Sequence, residues 1–471
     1  MDHGRTFGAA DSRQPAESRF SLRKFLVAVL VGCVFGQLLS FAGQPVTLPS
    51  GGNFTAGAGA ISASGNTLTI NQATARGIID WNSFSIGAGG LVQFRNGSGV
   101  TLNRVNGGAM SSILGSLIAS GSIYLLNPQG VLIGPKGTVK TGGDFIASTL
   151  HLSNDAFLGG SSLLFVGDST ALVKNLGSIS SKNGSVFLIA RSIENSGSIK
   201  AANVTVGLGA GTQVLLKDSS SDQRVFVQAA GGDITNTGSI AAAEAEVRAA
   251  GGNIYALAGN NGGQIRATGT ATKNGHVWLI AEGGTLDVTG TVHAQNANGT
   301  GGAVETSGGN VSFDGGHIGT GKGGSWLVDP YDLTVNSTAA TTIKNSLASG
   351  TDVTLTTSAT GASGPGTQNS SGSGDIIINS GISWSTGNTL TLSAYRNVKI
   401  SSGYTVKNTG SGNLNLIADN TGNGTGTVTI NGTVDYSGST GVVSAYYDPT
   451  GTTKYTNPLT YGTHLKTNAG I

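Results

Sequence analysis

"NLGSISSKNGSVFLIARSIENSGSIKAANVTVGLGAG" occupies residues 175–211, and "NTGSIAAAEAEVRAAGG" occupies residues 236–252. The unit Asn-x-Gly-Ser-Ile begins at Asn175, Asn195 and Asn236, so its first step is 20 residues and its second is 41. The longer step reads as two of the shorter. "NGSVFLIA" at 183–190 returns as "NGHVWLIA" at 274–281, with shorter variants at 262–269, 289–296 and 431–438. Inside a unit, apolar residues such as Val186, Leu188 and Ala190 alternate with outward positions over short strands. Strands this short do not stand alone. A repeat of about 20 residues buries its apolar side only by stacking on its neighbours. With small residues, few helix formers and Gly-Asn corners, the predicted fold is all-β. It is a right-handed parallel β-helix, a solenoid whose coils are hydrogen-bonded at about 4.8 Å. The alternative is a β-sandwich array, which needs longer strands and Greek-key spacing. It weighs most in the C-terminal third.

Composition agrees. Gly accounts for 78 of 471 residues and charged residues for 11%, against roughly 25% in ordinary globular chains. Disordered chains are short of Val, Ile and Leu, whereas this chain keeps them at regular spacing.

Upstream, Arg19, Arg23 and Lys24 precede an apolar run from Phe25 to about Leu39, followed by Ser40-Phe41-Ala42. That order reads as a secretory signal peptide over residues 1–42 with an extended basic region. The leader holds five of the 26 basic and three of the 24 acidic residues, so the remainder is formally neutral. No charge field draws it to nucleic acid. The single cysteine, Cys33, leaves with the leader, so packing and backbone hydrogen bonds alone hold the mature chain. Residues 46–70 carry short strands without the repeat and suit an N-terminal β cap, since an open β-rod end invites pairing with other chains. The remaining organisation reads as a first domain over 43–165 with the cap and first coils, β-helix repeats over 166–325, and a Ser/Thr/Gly-rich β repeat region over 326–471.

Catalytic constellations are sparse. The six histidines are isolated and lack metal-ligand spacing, and "GTGKGG" at 319–324 is a chance match in a Gly-rich chain. Asp329 and Asp332 in "VDPYD" resemble a carboxylate pair for sugar cleavage, but Pro330 between them argues for a turn in which the carboxylates cap backbone amides. The four tryptophans read as core or end fillers. The expectation is a protein that is not an enzyme, with no catalytic, cofactor or metal site.

The most specific stretch lies at 78–152. It holds Asp80-Trp81-Asn82-Ser83-Phe84-Ser85-Ile86-Gly87, then Leu102-Asn103-Arg104-Val105, then Asn127-Pro128-Gln129-Gly130-Val131, then Gly142-Gly143. This ordered series resembles the N-terminal secretion domain of the filamentous haemagglutinin- and haemolysin-like exoproteins of two-partner secretion, nearest the surface-adhesin branch. Where that family usually has Asn-Pro-Asn-Gly, this chain has Gln129. The resemblance implies Asn127, Pro128, Gln129 and Gly130 as the secretion motif. It implies Trp81, Asn82, Phe84, Asn103, Arg104, Gly142 and Gly143 as the domain signature. It also implies a partner outer-membrane β-barrel transporter, a secreted or surface-retained product, and an adhesin-like stalk that meets host or neighbouring-cell glycans or proteins. The alternatives are a β-helical polysaccharide-active enzyme and the delivery stalk of a contact-dependent toxin.

Overall fold

A computed structural model describes residues 46–446 and 465–467, apart from 161, 219–222, 228–230, 251–253, 257–263, 269–273, 359–371, 423 and 425. The leader at 1–42 lies outside the described residues.

The chain winds as a parallel β-helix through three sheets. Sheet I carries Thr138–Thr141, Ser178–Ser181 and the start of Ser198–Ala210 in succession. Sheet II carries Phe145–Ser148, Val186–Ala190 and the end of Ser198–Ala210. Sheet III carries Val131–Ile133, Leu172–Asn175, Ser192–Asn195 and Asp233–Asn236. Like residues fall in register from coil to coil. Ile179, Ile199, Ile240 and Ile265 line sheet I. Leu188, Leu208, Val247 and Leu279 line sheet II. All of these side chains belong to one buried apolar core.

One expectation fails. The 41-residue step is not two units: Asn195 pairs directly with Asn236 in the next coil. The additional residues leave the solenoid as an antiparallel hairpin, Gln213–Asp218 with Gln223–Val227. A second excursion leaves between Ser148 and Leu172. It contains His151–Leu152, the helix α1 (Asn154–Gly159) and Leu163–Val166. The two excursions join through antiparallel pairing of Leu163–Val166 with Gln213–Asp218. Together they lie over the outer side of sheet II, where a second core buries Ile78, Leu102, Tyr124, Ile146, Phe187 and Ile189 against Phe157, Phe165 and Val214. Hence Ser122–Leu126 and Val186–Ala190 are buried at every position instead of alternating. Each large apolar side chain so covered contributes about 1.5–3 kcal/mol.

The cap is built from Asn53–Ala56, antiparallel to Arg76–Trp81, and from the hairpin Gly59–Ser64 with Thr67–Gln72. Its last strand already pairs in parallel with Leu91–Arg95, so the coil register starts inside the cap.

The C-terminal third is a continuation of the solenoid, not a sandwich. Gly324–Asp329, Thr351–Thr356, Leu390–Ser393, Leu414–Ile417 and Val443–Tyr446 extend sheet II in parallel. The other two faces restart. Leu333–Val335 begins one new parallel sheet and Ile382–Trp384 begins another. Between the sheet I strand His317–Gly319 and Ile382–Trp384, a helix, α2 (Ser337–Ala348), occupies the place of a strand. Asn336 caps it by accepting from the Ala339 amide at 2.8 Å, as an N-cap requires. Ala340, Ile343 and Leu347 enter the core. The hydroxyls of Thr342 and Ser346 donate to the carbonyls of Phe313 and Ile318 at 2.9 and 2.8 Å. These side chains satisfy carbonyls that a further strand would have paired.

Candidate functional site

The Asn127–Gly130 corner joins sheet II to sheet III. Asn127 ends the strand Ser122–Leu126 with its side chain fully buried. Its Oδ1 accepts from the Gln129 amide at 2.9 Å, which closes an Asx turn. Its Nδ2 donates to the Ala109 carbonyl and to Ser111 Oγ, both at 3.0 Å, on the preceding coil. The Gly130 amide donates to the Asn127 carbonyl at 3.0 Å, and Gly130 holds φ at +113°, a value that favours glycine. Asn127 and Gly130 are therefore interior to the corner, and Pro128 and Gln129 are exposed at its tip. Ser169 ties the tip to the following coil by donating to the Pro128 carbonyl at 2.7 Å.

The signature residues are mostly architectural. Trp81 is buried and donates from Nε1 to Asn103 Oδ1 at 3.0 Å. It meets Phe84 edge-on at 5.3 Å, and Phe84 stacks on Phe94 at 6.4 Å. Asn103, fully buried, donates in turn to the Tyr124 carbonyl at 3.3 Å. This cluster plugs the first coils under the cap. Asn82 is exposed, and its amide donates to the Ser50 carbonyl at 3.0 Å, which docks the cap's first residues. Arg104 pairs with Asp80 at 2.9 Å and donates to Asn154 at 3.0 Å, so it fastens α1 to sheet II. Arg76 does the same from the adjacent coil, donating to the Phe157 carbonyl at 2.6 Å. Gly142 and Gly143 form a corner with no room for a side chain: a Cβ on Gly142 would lie 1.9 Å from the Ser120 carbonyl oxygen. The structure does not gather these residues into one chemical centre. It distributes them between a core plug, a staple for α1 and two corners.

Sequence reading missed the surface beside the corner tip. Met110, Leu114 and Ile118 are 43, 41 and 37% exposed, among the most exposed large apolar side chains of the described residues. A Cβ on Gly130 would lie 3.6 Å from the Met110 methyl, and one on Gly134 would meet Leu114 at 2.5 Å. The strip therefore starts at the motif and runs onto sheet I, where Ile118 lies between Gln93 and Lys140. The spacing of four residues between these side chains was the available signal.

The carboxylates of "VDPYD" separate. Asp332 accepts from the amides of Ser373 and Asp375 at 3.0 and 2.8 Å, the turn role expected of it. Asp329 instead stands half-buried on the outer side of sheet II, where burial and the neighbouring Glu305 raise its pKa to about 6. Three tryptophans, Trp81, Trp326 and Trp384, fill the core. Trp278 is buried outside it, stacked on His276 at 3.5 Å.

The cap, the first coils and the corner lie on one parallel β-helix. Residues 46–277 match the TPS secretion domain model, and this stretch belongs to the two-partner secretion family. Two heme/hemopexin-binding proteins of Haemophilus influenzae are similar to it. One is 34% identical over 255 residues, which is 50% of this chain and 27% of that protein. The other is 41% identical over 87 residues, which is 18% of this chain and 9% of that protein. The matched stretches thus span about a quarter of these relatives' length or less. Among solved structures, the HMW1 secretion domain of Haemophilus influenzae is 21% identical with a TM-score of 0.49, covering 84% of this chain and 99% of that one.

Proposed function

We propose that the chain is an adhesin-like exoprotein. A partner outer-membrane β-barrel transporter exports it, and it is displayed or released outside the cell, where the solenoid meets host or neighbouring-cell surfaces. The observation that carries the export reading is the corner at Asn127–Gly130: a tip of Pro128 and Gln129, held by buried groups, beside the exposed strip Met110–Leu114–Ile118, within the stretch that matches the secretion domain. Exposed apolar side chains beside a rigid corner suit a contact with a partner. Pro128, Gln129, Met110 and Leu114 form the contact, and the buried signature residues keep it in place.

A solenoid of stacked coils also suits passage in an extended state. Each coil contacts only its neighbours, so folding propagates from the first coils outward and draws the chain out as it does so.

The test is co-expression with an outer-membrane β-barrel transporter of a two-partner system. Export is expected only when that barrel is present. Equal export without it contradicts the proposal.

A further inference from the structure

The solenoid has a break. The sheet I strand His317–Gly319 pairs only with the coil before it, and α2 follows in place of the next strand. Leu333–Val335 pairs only with the coil after it. Among the described residues, the one strand ladder that crosses this level unbroken is on sheet II: Ala303–Ser312 to Gly324–Asp329 to Thr351–Thr356. Asp329 lies at the end of the middle strand of that ladder, just before Pro330.

Its surroundings are poor for a carboxylate. Asp329 Oδ1 is buried with no hydrogen-bond partner. Its register neighbour on the preceding strand is Ser307, whose hydroxyl bonds Glu305 at 3.0 Å. Glu305, two residues before Ser307 on the same outer side, adds a like charge. On the following side the Ser358 hydroxyl donates to the carboxylate. The other nearby charges are engaged: Glu282 with Arg248 at 2.6 Å, and Asp332 with the amides of Ser373 and Asp375. Thus, among the described residues, the one ladder bridging the break ends on a carboxyl group whose Oδ1 is buried without a partner and whose donor is the Ser358 hydroxyl.

We propose that this level is a proton-controlled seam: protonated Asp329 closes the sheet II ladder across the break, and loss of the proton loosens it, so that the coils on either side behave as one cooperative unit in acid and as two above neutrality.

The sign follows from linkage. The carboxyl binds its proton more tightly in the closed state, near pH 6, than when solvated near pH 3.8. Closure is therefore strongest below the solvated value and weakens as pH rises through the closed-state value. Hydrogen exchange of the full chain reads this directly. Amides in 324–329 and 351–356 are expected to lose on the order of 10- to 50-fold protection between about pH 4 and about pH 7.5, after correction for intrinsic exchange. Amides in 186–210 serve as the internal reference and hold theirs. Asp329→Asn is expected to remove the difference and give the protected state at both pH values. Glu305→Gln, which removes the like charge, is expected to retain the difference with a lower midpoint. Equal protection of the wild type at the two pH values overturns the proposal, as does an Asp329→Asn chain that keeps the wild-type difference.

Discussion

Two kinds of corner in this solenoid use the same residue differently. At Asn175, Asn195 and Asn236 the side chains are buried and bond to one another across coils, Nδ2 to Oδ1 at 2.8 and 2.7 Å. Each corner is completed by the next, and nothing of the asparagine side chain reaches solvent. At Asn127 the side chain is equally buried and, like Asn175, accepts from the amide two residues on, but its Nδ2 turns to Ala109 and Ser111 of the coil behind it instead of to another asparagine, and the corner ends in two exposed residues, Pro128 and Gln129. A repeated corner is read by the next coil. A corner that does not repeat presents something else, and here it presents Pro128 and Gln129 beside an apolar strip.

The comparison breaks if stability and export follow the same order, and four substitutions test it. Asn195→Ala removes the centre of the ladder: Asn236 Oδ1 loses its Asn195 donor, and Asn175 Nδ2 is left with the Ser198 carbonyl at 3.4 Å. A loss of about 1–3 kcal/mol is expected, measured by denaturant unfolding of the secretion domain. Asn127→Ala opens the Asx turn and removes two hydrogen bonds to the preceding coil, with an expected loss of about 1–3 kcal/mol. Gly130→Ala forces a side chain into positive φ, where its Cβ would also lie 3.2 Å from the Leu172 carbonyl oxygen. About 1–2 kcal/mol is expected. Gln129→Ala is expected to stay within about 0.5 kcal/mol of the parent. Export through the partner barrel is expected to rank otherwise, with Gln129→Ala impaired although its stability is intact.

Much of the fold was legible in sequence because a solenoid writes its register as a repeat. Asn-x-Gly-Ser-Ile at 175, 195 and 236 marks positions that stack in space. What misled was distance along the chain. A 41-residue step looks like two coils, yet Gln213–Asp218 and Gln223–Val227 leave the stack as a hairpin, and period alone does not separate a coil from an excursion. A second signal was present and was weak. "SIYLL" and "VFLIA" are apolar at consecutive positions, as strands covered on both faces are, and that run points to the covering sheet without saying which residues supply it. α2 was hidden for a related reason: "STAATTIKNSLA" is rich in Thr and Ser, residues of modest helix propensity, and their hydroxyls serve here to satisfy neighbouring strand carbonyls. At the site, the motif was found by resemblance, and its division into buried and exposed halves came only with the coordinates.

The most direct measurement is the exported fraction of Gln129→Ala combined with Met110→Ser, set against the thermal midpoint of the same purified domain, in cells carrying the partner transporter. The account predicts that export falls by about tenfold or more while the midpoint stays within a few degrees of the parent, as expected for exposed positions. Unchanged export, or a fall in export matched by a fall in the midpoint, contradicts it.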